Sequence, residues 1–231
     1  MSSDVMEDYL KAIHTLERER GPPVANSAIA EYLDVTAPTV TSMLKKLADR
    51  DLVRREKYKG VELTDQGERL ALEVLRHHRL LESYLAQQLG YEWSEVHEEA
   101  DALEHHISEE FERRVAAALG DPAIDPHGDP IPNADLDPLA EDDTAPLSAC
   151  EEDDRVVVAR VQDRDPAELD HLADAGVEPG RELRVAEVQP IGIVVVEHEE
   201  GRQHLPEDLA ARIRVRPAGS AEEVPNRVTE A

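Results

Sequence analysis

Histidine and carboxylate side chains recur at helical spacing in the middle of this 231-residue chain, where half of the ten histidines fall between positions 77 and 106. His78 and Glu82 are four residues apart, which puts them on one face of a helix. A second segment offers a longer stripe on one helical face, made of His97, Asp101, Glu104 and His105. Two facing helices with such stripes can enclose a metal ion, with Asp8 near the N-terminus as a further ligand.

These candidate ligands bind a metal through carboxylate oxygens or imidazole nitrogens. The single cysteine, Cys150, is remote along the chain, so a cysteine-cluster zinc or iron–sulfur site and a disulfide framework are excluded. Oxygen and nitrogen ligands suit Mn(II) or Fe(II) in expanded coordination, whereas Zn(II) prefers four ligands. Any one of these residues alone is more often ordinary surface, and only the repeated spacing favours a metal site.

The first quarter of the chain has the pattern of a winged helix-turn-helix domain. Asn26 or Ser27 is expected to cap the second helix, and Thr36 the third. Three predicted helices are followed by a hairpin of two short strands, at residues 4–20, 26–33, 36–49, 52–56 and 61–63. Such a domain places its third helix in the major groove of DNA.

Hydroxyl groups and Pro38 at the start of this third helix can contact base edges, and the basic residues beyond them suit phosphate contacts. The predicted DNA-contacting residues are Thr36, Pro38, Thr39, Ser42, Lys45, Lys46, Arg50, Arg54, Arg55, Lys57 and Lys59. The alternative is a winged helix used only for protein contacts.

The charge of the chain, −27 from 52 acidic and 25 basic residues, would by itself argue against DNA as a partner. Residues 38–59 are the exception, with seven basic and three acidic side chains. Acid is spread over the other segments, and apolar residues in periodic patterns make up 40% of the chain. We therefore interpret the charge as the adaptation of a folded protein to molar salt in a halophilic host.

Beyond the wing, one long helix from Thr64 to about Gln88 and two shorter ones over 94–107 and 108–119 are predicted. Five short strands after residue 155 indicate a small SH3-like barrel. The fold class is mainly α with a small all-β C-terminal domain. The predicted domains are a DNA-binding domain, a helical domain with the candidate metal ligands, which the resemblance described below also implies to be the dimerisation domain, a Pro/Asp-rich linker, the barrel and a tail, over 1–73, 74–120, 121–154, 155–217 and 218–231. No signal peptide or membrane span is visible, which predicts a cytoplasmic protein.

Several short motifs make the chain resemble the diphtheria-toxin-repressor family of metal-dependent transcriptional regulators, including its manganese-transport branch. They are Met6-Glu7-Asp8-Tyr9-Leu10, Thr36-Ala37-Pro38-Thr39-Val40, Arg76-His77-His78-Arg79-Leu80-Leu81-Glu82, Val96-His97-Glu98-Glu99-Ala100 and Glu104-His105-His106, with a linker similar to the family's at Gly128-Asp129-Pro130-Ile131-Pro132. The resemblance runs from about residue 5 to residue 215, and the charge suggests a haloarchaeal-type member.

The resemblance implies the residues of two metal sites. The primary site would use Asp8, Asp101, Glu104 and His105. The second site would use His78, Glu82 and His97. The SH3-like domain would add ligands at the positions that look like Asp165 and Glu168.

Two departures from the family pattern bear on the choice of metal. The iron-type members carry Met and Cys where this chain has Asp8 and Asp101, so oxygen replaces softer sulfur ligands and Mn(II) is favoured. The manganese-type members carry a glutamate where this chain has Lys11, and this residue and the SH3-like domain favour the iron type. The sequence favours Mn(II) over Fe(II).

The expected function is metal-dependent DNA binding by a homodimer on a palindromic operator, with repression of metal-uptake genes as a family inference. One rival is an iron-specific repressor, and another is a winged-helix regulator that responds to an organic ligand. A metallohydrolase would need an open metal position and a positioned base, and no motif for one is visible, so the protein is predicted not to be an enzyme.

Overall fold

The computed structural model describes residues 3–56, 59–140, 143–162 and 165–219. They form two compact units. The first unit comprises Met1–His78, Leu103–Ser108 and Pro132–Ala140, and the second comprises Arg79–Ala102, Glu109–Ile131 and Glu141–Ala231, as far as these ranges are described. The predicted hairpin-turn residues Lys57 and Tyr58, and the tail from residue 220, lie outside the described residues.

The first unit contains the predicted winged helix-turn-helix. Its elements are α1 (Asp4–Arg20), α2 (Asn26–Tyr32), α3 (Ala37–Ala48), β1 (Val53–Glu56), β2 (Gly60–Leu63) and the start of α4 (Asp65–Tyr84). The cap predicted at Thr36 is confirmed, since its side chain accepts a hydrogen bond from the Thr39 backbone N–H. The cap predicted for α2 is wrong, because Ala25 holds the extended N-cap conformation and Asn26 is already helical.

Apolar side chains from each element of this unit meet in one core. Leu10 and Ile13 of α1 and Leu44 and Leu47 of α3 have no exposed surface. Their spacing of three along each helix builds one apolar stripe per helix, as expected for helices with one solvated face. The core fixes α1 against α3, so the helix that carries Asp8 is packed with the predicted DNA-reading helix.

The helical part of the second unit contains the end of α4, a π-helical segment Leu85–Leu89, α5 (Val96–Leu103) and α6 (Glu109–Ala118). The sequence predicted that α5 would run to residue 107, and this is wrong, because the helix ends at Leu103. The His106 N–H donates to the Leu103 carbonyl oxygen at 2.9 Å, and residues 104–106 form a turn. The helical stripe predicted through Glu104 and His105 therefore stops at Asp101.

The remainder of the second unit is an antiparallel six-stranded sheet in the order β3-β8-β4-β5-β6-β7. Its elements are β3 (Ala145–Pro146), β4 (Arg155–Val161), α7 (Pro166–Asp174), β5 (Glu182–Gln189), β6 (Ile193–His198), β7 (Gly201–Pro206), α8 (Glu207–Ala210) and β8 (Ile213–Pro217). The five predicted strands are present. β3, which pairs with β8, and α7 were not predicted. A core of alternating valine, leucine and isoleucine side chains fills the domain.

Within the described residues, no helix is both long enough and apolar enough to cross a membrane.

Candidate metal centre and DNA-binding surface

Three of the four predicted primary ligands converge in the first unit. Asp8, Glu104 and His105 each offer one ligand atom, and these atoms lie within 4.8 Å of one another. The His105 Nε2 atom lies 2.9 Å from Asp8 Oδ1 and 3.4 Å from Glu104 Oε1. Asp8 comes from the first turns of α1, whereas Glu104 and His105 come from the turn after α5. This group therefore joins two segments that are almost a hundred positions apart in sequence.

Glu7 orients the histidine of this group. Its Oε2 atom lies 2.7 Å from His105 Nδ1. A carboxylate at this distance favours the tautomer in which Nδ1 carries the proton and donates it, which leaves Nε2 free to bind a cation. Since Nε2 is also the atom that faces Asp8 and Glu104, the ring is already turned toward the remaining ligands.

Glu104 is the buried centre of the group, with a fully buried side chain. The Lys11 ammonium donates to both of its carboxylate oxygens, at 2.7 and 2.9 Å, and His78 Nδ1 lies 2.6 Å from Oε2. Burial acts to raise the pKa of Glu104, but the hydrogen bond to His78 and the Lys11 charge outweigh it, so the pKa lies below its ordinary value. Glu104 is therefore ionised and able to act as an anionic ligand.

The other two members of the group have raised pKa values. Burial raises the pKa of Asp8, more than the nearby His105 and Lys11 lower it. Burial acts to lower the pKa of His105, but the bond to Glu7 and the charges of Glu104 and Asp8 outweigh it and hold the pKa above 6.5. In the absence of metal, a proton on His105 thus balances part of the negative charge that a divalent cation would balance in the site.

Asp101, the fourth residue predicted for the primary site, belongs to the second unit. Its Oδ2 atom lies 3.6 Å from His97 Nε2, and its side chain is 49% exposed. His97 also approaches Glu82, with 3.2 Å between Nδ1 and Oε1. The structure thus pairs two residues of the predicted second site with each other and places Asp101 beside them. The predicted role of Asp101 in the primary site stays a prediction.

Glu82 belongs to a second group, which the sequence did not predict in full. Glu82, Asp125 and His127 are buried in the second unit, with ligand atoms within 4.8 Å of one another. The Glu82 and His127 side chains have no exposed surface, and Glu82 Oε1 lies 3.7 Å from His127 Nδ1. Burial, together with the charges of Glu82 and Asp129, raises the pKa of Asp125 well above its ordinary value. Two carboxylates this close in a buried pocket favour a cation between them.

A tight loop presents the two new residues of this group. Asp125 Oδ1 accepts hydrogen bonds from the backbone N–H groups of His127 and Asp129, both at 2.9 Å. The imidazole of His127 stacks on Trp93, with 5.4 Å between ring centroids, and its Nε2 lies 3.1 Å from the Trp93 carbonyl oxygen. These contacts leave His127 Nδ1 directed at Glu82. The available sequence signal was a histidine between two aspartates in a segment interpreted only as a linker.

The two possible ligands from the barrel have other partners in the structure. Asp165 caps α7, since its Oδ1 accepts from the Ala167 and Glu168 backbone N–H groups. Glu168 makes an ion pair with Arg212. Among the described residues, neither belongs to a cluster of three or more potential ligands. Their role as ligands stays a prediction.

The predicted DNA-contacting residues that the structure describes are exposed. α3 buries Val40, Leu44 and Leu47 and presents its other faces to solvent. The exposed residues are Thr36, Pro38, Thr39, Ser42, Lys45, Lys46, Arg50, Arg54, Arg55 and Lys59. Lys57 lies outside the described residues. One basic surface thus runs from α3 onto the wing, formed by β1 and β2, which suits a helix in the major groove and a wing on the phosphate backbone.

Three family models match the chain in succession. Residues 1–61 match the N-terminal DNA-binding domain of iron-dependent repressors, residues 64–133 match their metal-binding and dimerisation domain, and residues 145–217 match the FeoA domain. The chain belongs to the iron-dependent repressor family. It is therefore a metal-dependent transcriptional repressor with a DNA-binding domain, a dimerisation domain and a FeoA-like barrel.

Relatives of known name support this assignment over nearly the whole chain. The iron-dependent repressor IdeR of Mycobacterium tuberculosis (strain H37Rv) is 34% identical over 223 residues, covering 92% of this chain and 96% of the relative. The diphtheria toxin repressor of Corynebacterium diphtheriae is 31% identical with the same coverage. Among solved structures, a manganese-dependent transcriptional repressor in complex with manganese matches with a TM-score of 0.85 and 39% identity, covering 92% of this chain and 99% of that one.

Proposed function

We propose that this repressor is activated by Mn(II) and binds a palindromic operator as a homodimer in the cytoplasm, where it represses metal-uptake genes. The observation that carries the proposal is the group of Asp8, Glu104 and His105, which can hold a cation between α1 of the DNA-binding domain and the turn after α5. No catalytic role is proposed, since the relatives are named as repressors.

The donor atoms of the site favour manganese. Asp8 and Glu104 supply oxygen and His105 supplies nitrogen, and no sulfur ligand takes part. A similar solved structure is named for manganese, whereas the curated relative IdeR is named for iron. Fe(II) is accordingly the second candidate, and it accepts the same donors.

The mechanism follows from linkage between metal and DNA. Asp8, Glu104 and the neutral Nε2 of His105 would hold a divalent cation, which would supply the positive charge that balances the two carboxylates. Holding these ligands together fixes α1, and with it α3, in one arrangement. A homodimer in this arrangement presents its two α3 helices at one spacing, which matches two half-sites on DNA. Because linkage is reciprocal, bound DNA tightens metal binding by the same factor.

A binding experiment on the full chain tests the proposal. DNA duplexes are selected from a random-sequence pool with the Mn(II)-loaded protein, examined for two-fold symmetry, and then used in gel shifts with Mn(II), Fe(II) or a chelator. We expect binding with Mn(II) and its loss with chelator. Binding that ignores the chelator would contradict the mechanism. A requirement for an organic cell extract would favour a regulator that responds to an organic ligand.

Variants of the predicted ligands test the site itself. His105→Ala and Asp101→Ala are compared for Mn(II) affinity, followed by electron paramagnetic resonance of the free ion. His204→Ala and Asp170→Ala, which change exposed side chains of the same types, are the controls. The His105 variant should lose at least about tenfold in affinity, the usual effect of disturbing a metal's ligand set. A full metal response in both ligand variants would overturn the assignment.

A further inference from the structure

The wing contacts α1 at one point and the segment just after α1 at another. The Leu63 backbone N–H, at the end of β2, donates to Glu17 Oε1 at 2.8 Å. Val24, just beyond α1, exchanges both backbone hydrogen bonds with Val61 of β2, at 2.8 and 2.9 Å. Val24 and Val61 are buried, so these contacts are shielded from water. Two strands of four residues are marginal alone. The contacts with Glu17 and Val24 therefore help to position the wing, together with those that β1 makes with α3.

The same helix carries a ligand of the metal group. Asp8 and Glu17 are nine residues apart on α1, which is about 14 Å along the axis and about two and a half turns. They therefore lie on opposite sides of the helix, with the metal group on one side and the wing on the other. The helix is continuous between them, and its inner face, with Leu10, Ile13 and Leu16, is buried in one core.

We propose that Glu17 is a positioning residue for DNA binding: it fastens the wing to the helix that carries Asp8, so that metal occupancy acts on the wing as well as on α3. This inference rests on the proposed function and extends it. Among the described residues, the Glu17 carboxylate makes no hydrogen bond to the candidate metal group or to the exposed DNA-contacting residues. It acts through its hydrogen bond with Leu63.

The charge around Glu17 separates its role as an acceptor from its role as an anion. Burial raises the pKa of Glu17, and the nearby Glu62 and Glu68 disfavour its negative charge further, against the hydrogen bond from Leu63. Glutamine keeps a carbonyl oxygen that can accept from Leu63 and removes this repulsion. Methionine has a similar length and good helix propensity but offers no strong acceptor. Glu17→Gln should therefore keep the wing attached at Leu63, whereas Glu17→Met should loosen it there and leave only the backbone pair of Val24 and Val61.

The dependence of DNA affinity on salt measures the wing contact. The slope of log K against log salt is negative, and each phosphate neutralised by a basic residue makes it steeper by about 0.9. With the selected duplex and saturating Mn(II), we expect Glu17→Met to make the slope shallower by about one for each protomer, and so by about two for the bound homodimer. Glu17→Gln should keep the wild-type slope. Glu19→Met removes the same charge from an exposed position two residues along α1 and is the matched control.

A double-mutant cycle with Lys59 tests whether the change in salt dependence arises at the wing. Lys59→Ala should make the slope shallower by about one for each protomer, and the double variant with Glu17→Met should show little further loss. Independent, additive losses would overturn the proposal. A wild-type slope in Glu17→Met would overturn it as well.

A measurement on the unchanged protein covers the case in which Glu17→Met does not fold. Amide hydrogen exchange at Leu63 should slow when Mn(II) binds in the absence of DNA. Exchange at Leu63 that ignores Mn(II), in a protein whose DNA binding does need Mn(II), overturns the inference and leaves the proposed function standing. A wild-type protein that binds DNA without regard to metal overturns both.

Discussion

At the scale of single residues, His105 ties metal binding to pH. The imidazole must be neutral to bind a cation, and its pKa lies above 6.5 because of Glu7, Glu104 and Asp8. As the pH falls through this raised pKa, protons compete with Mn(II), and affinity should drop by about tenfold per pH unit. Titrations with Mn(II) between about pH 8.5 and pH 5.5, followed by electron paramagnetic resonance, measure this dependence.

The stability of the metal-free protein should depend on pH in the opposite direction, because of the same histidine. A pKa raised by folding means that protonated His105 stabilises the fold below pH 6.5, and that this contribution is lost as the pH rises through the folded-state pKa. Chemical unfolding at several pH values, with chelator present, measures the sign of this pH dependence. A Mn(II) affinity that stays flat across the range would contradict the placement of His105 in the site.

The buried group of Glu82, Asp125 and His127 makes a separate prediction about metal count. The double variant Asp125→Asn/His127→Gln should bind one Mn(II) fewer per chain than the wild type, while the primary site is retained. Calorimetric titration measures the stoichiometry. Asp121→Asn/His204→Gln, at exposed positions, is the matched control. An unchanged metal count would exclude the group as a metal site.

Residue type and spacing predicted part of the candidate sites. Glu82 was predicted because it repeats with His78 at helical spacing, and Asp8 because it carries the right ligand chemistry beside a family motif. Asp125 and His127 follow no period, since a loop has none, and only the folded chain brings them to Glu82. Helical periodicity also assigned Asp101 and His105 to one face, whereas α5 ends between them.

At the scale of elements, the sequence predicted the existence of helices and strands better than their ends. Apolar periodicity marked α1, α3 and the barrel strands, because each buries one face in a core. It did not reveal β3, whose two residues are strand only through their pairing with β8. Long-range pairing of this kind leaves no local pattern to predict from.

Gly60 shows how closely β2 approaches the chain beyond α1. Its φ is +141°, and a Cβ atom there would lie 2.0 Å from the Val24 carbonyl oxygen. Gly60→Ala should destabilise the protein by about 2 kcal/mol or more, through backbone strain and displacement of β2. Gly90→Ala, in the left-handed helical region with φ of +71° and ψ of 30° and with open space around the added carbon, should cost only about 1 kcal/mol. Urea unfolding measures both, and equal costs would contradict the close approach.

At the scale of the whole molecule, the distribution of charge matters more than its sum. The net charge of −27 includes one basic stretch, and the structure presents that stretch on α3 and the wing. DNA binding by an acidic protein is thus compatible with its electrostatics, since short-range attraction at this surface can exceed longer-range repulsion once salt screens the latter.

The remaining acidic surface predicts a fold that needs salt. Carboxylates repel one another across the surface, and this repulsion weakens as the Debye length shrinks from about 10 Å at 0.1 M to about 3 Å at 1 M salt. The melting temperature should therefore rise between about 0.1 and 2 M KCl, and long incubation at low salt should lead to unfolding or precipitation. Differential scanning calorimetry over this range measures the effect, with chelator present so that metal binding does not contribute. A protein that stays folded and soluble for days at low salt, with a melting temperature indifferent to KCl, would show that the charge is not an adaptation to molar salt.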